Sequence, residues 1–556
     1  MSSLTVLITE EDHKKEEVTT VKIKHFKNLK ASLLAISVAF SGAMLTTADN
    51  DAYAAGTLRI GNMGEPASLD PHFVSGTWES GIVGNLFLGL TTEAADGSII
   101  PGAAKSWTVS DDGLVYTFSL RDHTWSDGKP VTAQDFKLAL QRILKPETAA
   151  GYASLLYTIK GAEQYNTGKA GADALAVEAI DEKTLEITLS GPAPYFIAQL
   201  SHYTAYPVPA HKIEELGKNW AKDGNMVSNG AFTLSEWTPN AQIRLEKNPR
   251  FYDAENVSLD ELVFYPQEDR SAVLKRVRAG EVDIQTDFAS SDLKWLEKNM
   301  PDYVRIAPYL GVYYYPLNLD DEVLKDIRVR EALAMTIDRK ILTEKVLKTG
   351  EIAAYSFVPP GTGDYGSSPE VSWKNMTQKE RVAEAQKLMA AAGYDKSNAP
   401  TIKLSYNTSE NHKKVAIAVA AMWKKALGVK TELFNTEVKV HYDNLKVRDF
   451  QAARAGWIAD YNDPQNFLSL MESRNTSQNY ANFNDDQYNE LMRKAELEAD
   501  PVKRNEYMRQ AEVIALTEVP NIPIYHYVSK NLVNPKVVGW VDNASDIHRA
   551  RYLSVK

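Results

Sequence analysis

The residues able to do chemistry are few, and most stand in the wrong context. Ser291-Asp292-Leu293-Lys294 has S-x-x-K spacing, and Lys348-Thr349-Gly350 has K-T-G spacing, as in serine acyl-transfer enzymes. No S-x-N element falls between them, so a serine peptidase or peptidoglycan hydrolase built on Ser291 and Lys348 is a remote reading. Gly361-Thr362-Gly363-Asp364-Tyr365-Gly366 matches a dinucleotide turn by letters. Pro359-Pro360 precede it and Ser367-Ser368-Pro369 follow, where a strand and a helix are required. It reads as an exposed loop. The histidines form no H-E-x-x-H, and cysteine is absent, so neither a metal site nor a catalytic thiol is expected.

Asp460 is different. It follows the uncharged run Ala455-Gly456-Trp457-Ile458-Ala459, which reads as a strand end. A carboxylate buried there needs a cation; the alternative is an Asx-turn or cap before Pro464. His412, between Asn411 and Lys413, is balanced between a solvated helix start and a ligand contact. Trp457, Tyr461 and Tyr313-Tyr314-Tyr315 fit a core as well as a site, and on a strand Tyr314 must face away from its two neighbours.

The elements that must position these groups alternate between strand and helix. Leu114–Leu120 and Leu185–Leu189 have strand patterns. Thr132 with Asp135 caps a helix Ala133–Ile143. A helix Arg270–Ala279 stops at Gly280 before a strand Glu281–Gln285, and a helix Val415–Ala426 stops at Gly428 before a strand Lys430–Phe434. The fold class is α/β.

The chain has 556 residues, too many for one core. Its formal net charge of −11 argues against nucleic-acid binding. At the N-terminus, Lys22, Lys24, Lys27 and Lys30 precede the apolar run Ala31–Leu45, and Ala52-Tyr53-Ala54 fits a cleavage site. Residues 1–54 are expected to be an export signal cut after Ala54. The acids at 10, 11, 12, 16 and 17 place the true start near Val21.

Several segments together carry a resemblance: Glu65–Pro71, Pro101–Trp107, Thr117–Arg121, Trp125–Gly128, Thr132–Phe136, Asn229–Phe232, Gly280–Ile284, Asp326–Arg330 leading to Asp338-Arg339, Tyr406–Ser409 and Ala459–Asn462. In this order they resemble the large peptide-binding proteins of ABC importers, solute-binding protein family 5, in both its oligopeptide and murein-peptide branches. The resemblance implies a three-lobed, type II-like binding protein: two main hinged lobes plus an inserted lobe. Lobe I would be 57–87, 212–310 and 527–556, lobe II the insertion 88–211, and lobe III 311–526. It implies capture of short peptides between lobes I and III and delivery to an inner-membrane ABC permease, by a periplasmic monomer without cofactor or catalysis. With no cysteine to carry lipid, an outer membrane would retain it. The same fold with a murein peptide, dipeptide, haem or metal chelate as ligand is the alternative.

The resemblance also implies site residues. Asp460 would pair with the ligand's α-ammonium. Tyr152 and Trp457 would line the cleft, and His412 and Arg454 would meet ligand carboxylates. Ser75, Gly76 and Thr77 would border the ligand, with Ser75 replacing a glutamate. Val438 replaces a tryptophan, Leu445 an arginine beside Lys446, and Leu347 a lysine beside Lys348. Gly311 and Ile458 stand where the oligopeptide branch has a cysteine pair.

Overall fold

Thr57–Asn62 is a strand of β-rich, half-buried sequence, paired in parallel with Glu261–Pro266 on one side and Ile284–Thr286 on the other. It lies inside a sheet that, among the described residues, has nine strands. Its order runs Ala455–Ile458, Val304–Pro316, Asn521–Val533, Ile284–Thr286, Thr57–Asn62, Glu261–Pro266, Gln242–Lys247, Phe232–Thr238, with Ile352–Ala353 pairing off Asn521–Val533. The computed structural model describes residues 56–556, so the export-signal and start-site expectations for 1–54 lie outside the described residues.

Two strands of this sheet are long. Val304–Pro316 and Asn521–Val533 each run 13 residues and pair antiparallel, with register shifts between Pro308 and Val312 and again at Tyr313/Tyr314. A four-stranded antiparallel sheet orders Ala104–Val109, Val115–Leu120, Thr184–Thr188 and Val177–Ala179. A parallel three-stranded sheet orders Lys430–Thr436, Thr401–Asn407 and Ala452–Ala453. The architecture is the mixed α/β, multi-lobed one expected.

The local readings hold closely. Ala133–Leu144 is a helix, and its Thr132 N–H donates to Asp135 Oδ2 at 2.8 Å. Thr184–Thr188 alternates in burial, as a strand with one face in the core must. Arg270–Ala279 ends at Gly280 in the left-handed region, φ 77. The strand after it begins later than expected, at Ile284; just before it, Asp283 accepts the Arg59 N–H on its side chain and donates its own N–H to the Arg59 carbonyl. The helix expected over 415–426 starts a turn earlier and spans Glu410–Leu427; it buries Asn411, Val415, Val419 and Trp423 along one stripe.

Cores form on several faces. Leu58, Phe118, Phe136 and Trp125 belong to an apolar cluster shared by the N-terminal strand and the 88–211 segment. Tyr313 and Tyr315 pack with Leu333, Trp423 and Ile524, whereas Tyr314 packs with Phe357, Phe467 and Tyr488. The three tyrosines are therefore split across one strand as its pleat requires.

Two readings are corrected. The 359–366 loop is not simply exposed: Tyr365 is fully buried and donates its hydroxyl to Glu512 Oε2 at 2.9 Å, because a loop between packed helices needs an anchor. Leu347, read as standing in a ligand-contact position, is buried in the apolar core instead. Ser291 and Lys348 are both exposed. Among the described residues, no cluster of three or more His, Cys, Asp or Glu could hold a metal ion, and no helix is long and apolar enough to cross a membrane.

Candidate ligand-binding site

The strand Ala455–Ile458 is terminal in its sheet and antiparallel to Val304–Pro316, with Trp457 opposite Val312 and Ile458 opposite Gly311. Its free edge borders an internal cavity of about 600 Å³, a volume typical of a ligand site. Arg454, Gly456, Trp457, Ile458, Ala459 and Asp460 all line this cavity, so the run meets it along its edge and not by one face alone.

Asp460 stands at the C-terminal end of this run with its side chain 10% exposed. One carboxylate oxygen lies 3.2 Å from His202 Nε2. The other accepts from Asn466 Nδ2 at 3.1 Å, and the Asp460 N–H donates to Asn466 Oδ1 at 3.0 Å. The same amide oxygen accepts from Trp457 Nε1 at 2.8 Å, so Asn466 fixes the indole and the carboxylate together. The turn before Pro464 belongs to another acid: Asp463 accepts the Gln465 N–H and pairs with Arg504 at 2.8 Å.

Trp457 stacks on Tyr152, with ring centroids 5.8 Å apart and planes 12° apart. Tyr152 in turn touches the rings of His202 and Tyr203. Burial pushes the Tyr152 and Tyr203 phenols well up, so both stay neutral.

At the N-terminal end of the run, the Arg454 guanidinium is buried and, among the described residues, its hydrogen bonds go to neutral groups. It donates to Asn407 Oδ1 at 3.0 Å, to Tyr442 Oη at 3.1 Å and to Tyr527 Oη at 2.7 Å, and lies over the Tyr313 ring. Its Nε has no hydrogen-bond partner among the described residues, nor does His412 Nδ1 nearby. Burial, together with the Arg454 and Arg270 charges, holds His412 well below the ordinary histidine range, so its ring is neutral. A buried guanidinium without a carboxylate is costly, and an incoming anion would relieve it.

Ser75, Gly76 and Thr77 border the cavity at the start of the helix Thr77–Leu86. The Ser75 and Gly76 N–H groups both donate to Glu79 Oε2 at 2.9 Å, which fixes the loop from within. All eight residues expected at the site therefore border one cavity. Val438 and Lys446 border it too, while Leu445 is buried in the core. Gly311 and Ile458 do face each other, and a Cβ at Gly311 would lie 2.5 Å from Ile458 Cδ1: the isoleucine fills the space.

Sequence reasoning missed His202, Asn466 and Tyr527. It also missed a buried ion cluster at the cavity wall, where Lys530 pairs with Asp287 at 3.2 Å and Glu351 at 3.4 Å, and Arg270 with Asp287 at 3.4 Å. No local spacing marks these residues. Only the apolar flanks of His202, with Tyr203 and Tyr206 following it, hinted at burial.

A mixed α/β molecule that encloses a polar-ended cavity beside a free strand edge has the form of a solute-binding protein. The chain belongs to the bacterial extracellular solute-binding proteins, family 5, whose model matches residues 98–479. It is 40% identical over 496 residues to the periplasmic murein peptide-binding protein MppA of Escherichia coli, covering 88% of this chain and 91% of that one. It resembles Haemophilus influenzae OppA in complex with the peptide RPPGFSPFR with a TM-score of 0.88, at 34% identity, over 90% of this chain and 99% of that one. Against the unliganded open form of MppA the TM-score is 0.65, at 38% identity, over 90% of this chain and 98% of that one. The fold here is thus nearer the peptide complex than the open form.

Proposed function

We propose that this chain captures short peptides in the periplasm and delivers them to an inner-membrane ABC permease. The observation that carries this is the edge strand Ala455–Ile458 inside the cavity, with a carboxylate beyond one end and an unpaired guanidinium beyond the other. A free strand edge offers main-chain donors and acceptors to an extended chain, which gives affinity without reading side chains. Asp460 would take the α-ammonium; Arg454 would take a carboxylate. The six residue-to-residue steps from Arg454 to Asp460 span at most roughly 20 Å, which admits an extended peptide of about three to five residues.

Lobe I (57–87, 212–310, 527–556), the inserted lobe II (88–211) and lobe III (311–526) would be the moving bodies. The two long strands cross both proposed boundaries, and the register shift after Pro308 adjoins one of them, which supports a hinge there. Closure would follow from higher ligand affinity in the closed state. We read the protein as a monomer, exported by cleavage after Ala54, that performs no covalent chemistry. Ser291 and Lys348 border neither each other nor the cavity in any contact seen, and a β-lactam or fluorophosphonate should leave Ser291 unlabelled; labelling would revive the enzyme.

The test is native mass spectrometry of residues 55–556 with a pool of tri- to pentapeptides and murein peptides, beside an N-acetylated copy of the pool. Binding from the free-amine pool alone is expected. Asp460→Ala should weaken that binding by about 2–5 kcal/mol. Binding from neither pool would turn the search to haem and metal chelates.

A further inference from the structure

The Asp460 carboxylate is shared with a residue from the far wall of the cavity. His202 comes from the 88–211 segment, just before the short turn Tyr203–Ala205. Its ring is 8% exposed, and its Nε2 is 3.2 Å from Asp460 Oδ1. Its Nδ1 lies 3.0 Å from Thr204 Oγ1. The ring packs on Tyr203 with centroids 3.8 Å apart and on Tyr152 at 5.7 Å. Both phenols are neutral, as described above. The remaining charge on this side is Glu79, beyond Tyr203, whose carboxylate is occupied by the N–H groups of Ala67, Ser75 and Gly76 and faces Lys446.

We infer that His202 is the positioning residue of the amine anchor and that its protonation state decides whether Asp460 can take an ammonium. This rests on the peptide reading above. With Thr204 donating to Nδ1, the ring proton sits on Nε2, the nitrogen that faces Asp460 at 3.2 Å. The imidazole then aims the carboxylate while leaving its full negative charge for the ligand. A second proton, on Nδ1, turns Thr204 into an acceptor and makes the imidazole a cation. That cation neutralises Asp460 and stands beside the position the ligand's ammonium must occupy. Proton and peptide therefore compete for the same carboxylate.

Calorimetry of wild type and His202→Gln with trialanine, between about pH 7.5 and 5.5, tests this. Glutamine keeps a neutral donor and cannot take the proton. The wild-type Kd is expected to rise about fivefold or more as pH falls, the lower end of ordinary coupling between sites. His202→Gln should show a flat profile over the same range, whatever its affinity at pH 7.5. Equal slopes in both proteins would overturn the inference, and a His202→Gln that folds without binding sends the question to the ring titration below. Should that variant not fold, the His202 ring is titrated by NMR in wild type with and without trialanine. Peptide should lower the pH at which the ring protonates, and an unmoved midpoint overturns the inference. Wild type that binds no free-amine peptide at any pH sinks the peptide reading itself, and this inference with it.

Discussion

At the scale of single residues, burial sorts the acids into different tasks. Asp460 keeps an opening to the cavity, whereas Glu512 is sealed in. Glu512 accepts the N–H groups of Phe357 and Val358 and the Tyr365 hydroxyl, but has no cation within bonding distance among the described residues. Burial outweighs those bonds and pushes its carboxyl up to about 7. A carboxyl raised in the folded state binds a proton that the unfolded chain has already lost. Stability should therefore fall as pH rises from about 4.5 to about 7, by about 3 kcal/mol from this group. Glu512→Gln should flatten that segment of the urea-unfolding profile; an unchanged profile would show that another group is responsible. Asp460 and Trp457 were legible because an uncharged strand ending in an acid is a local pattern. The contact of His202 with Asp460 was not, because the two come from distant parts of the chain, and a lone histidine carries no spacing of its own.

Secondary-structure elements show the same division. Helix stops were legible wherever glycine must enter the left-handed region, as at Gly280 and Gly428. Gly428 has φ +80, and a Cβ there would lie 2.7 Å from the Lys396 Cα, which is backbone and cannot step aside. Gly428→Ala is therefore expected to destabilise by about 1–3 kcal/mol in urea unfolding, while peptide affinity stays unchanged, since Gly428 is remote from the cavity lining. Pairing between elements was not legible. That Ala455–Ile458 would add to the edge of Val304–Pro316, and not to its sequence neighbour Ala452–Ala453, follows from closure of the whole sheet. No feature within those four residues specifies it.

For the whole molecule, the α/β class and the family resemblance came from many short segments in order, which no single motif could supply. The proposed lobe boundaries have no mark of their own in the sequence, because the long strands that would cross them are continuous and show no break in pattern. The fold lies nearer a peptide complex than an open form, so peptide should compact the protein in solution. Small-angle scattering of residues 55–556 should show a smaller radius of gyration on adding a bound peptide. Thermal unfolding should shift upward, by about 2.7 kcal/mol of stabilisation at a hundredfold excess over Kd. A radius unmoved by a peptide that does bind would mean that the cavity is already shut before the ligand arrives.

The two 13-residue strands that pass side by side through the sheet would have a mechanical consequence for the proposed lobes I and III. Flexible tethers would let the halves wander, with an effective concentration set by linker length. A hydrogen-bonded double ribbon instead confines their relative motion to bending and twisting about one axis. The open ensemble of such lobes would be narrow, reclosing would need no diffusional search, and a body gripping both ends of the ribbon would empty the cavity by applying torque.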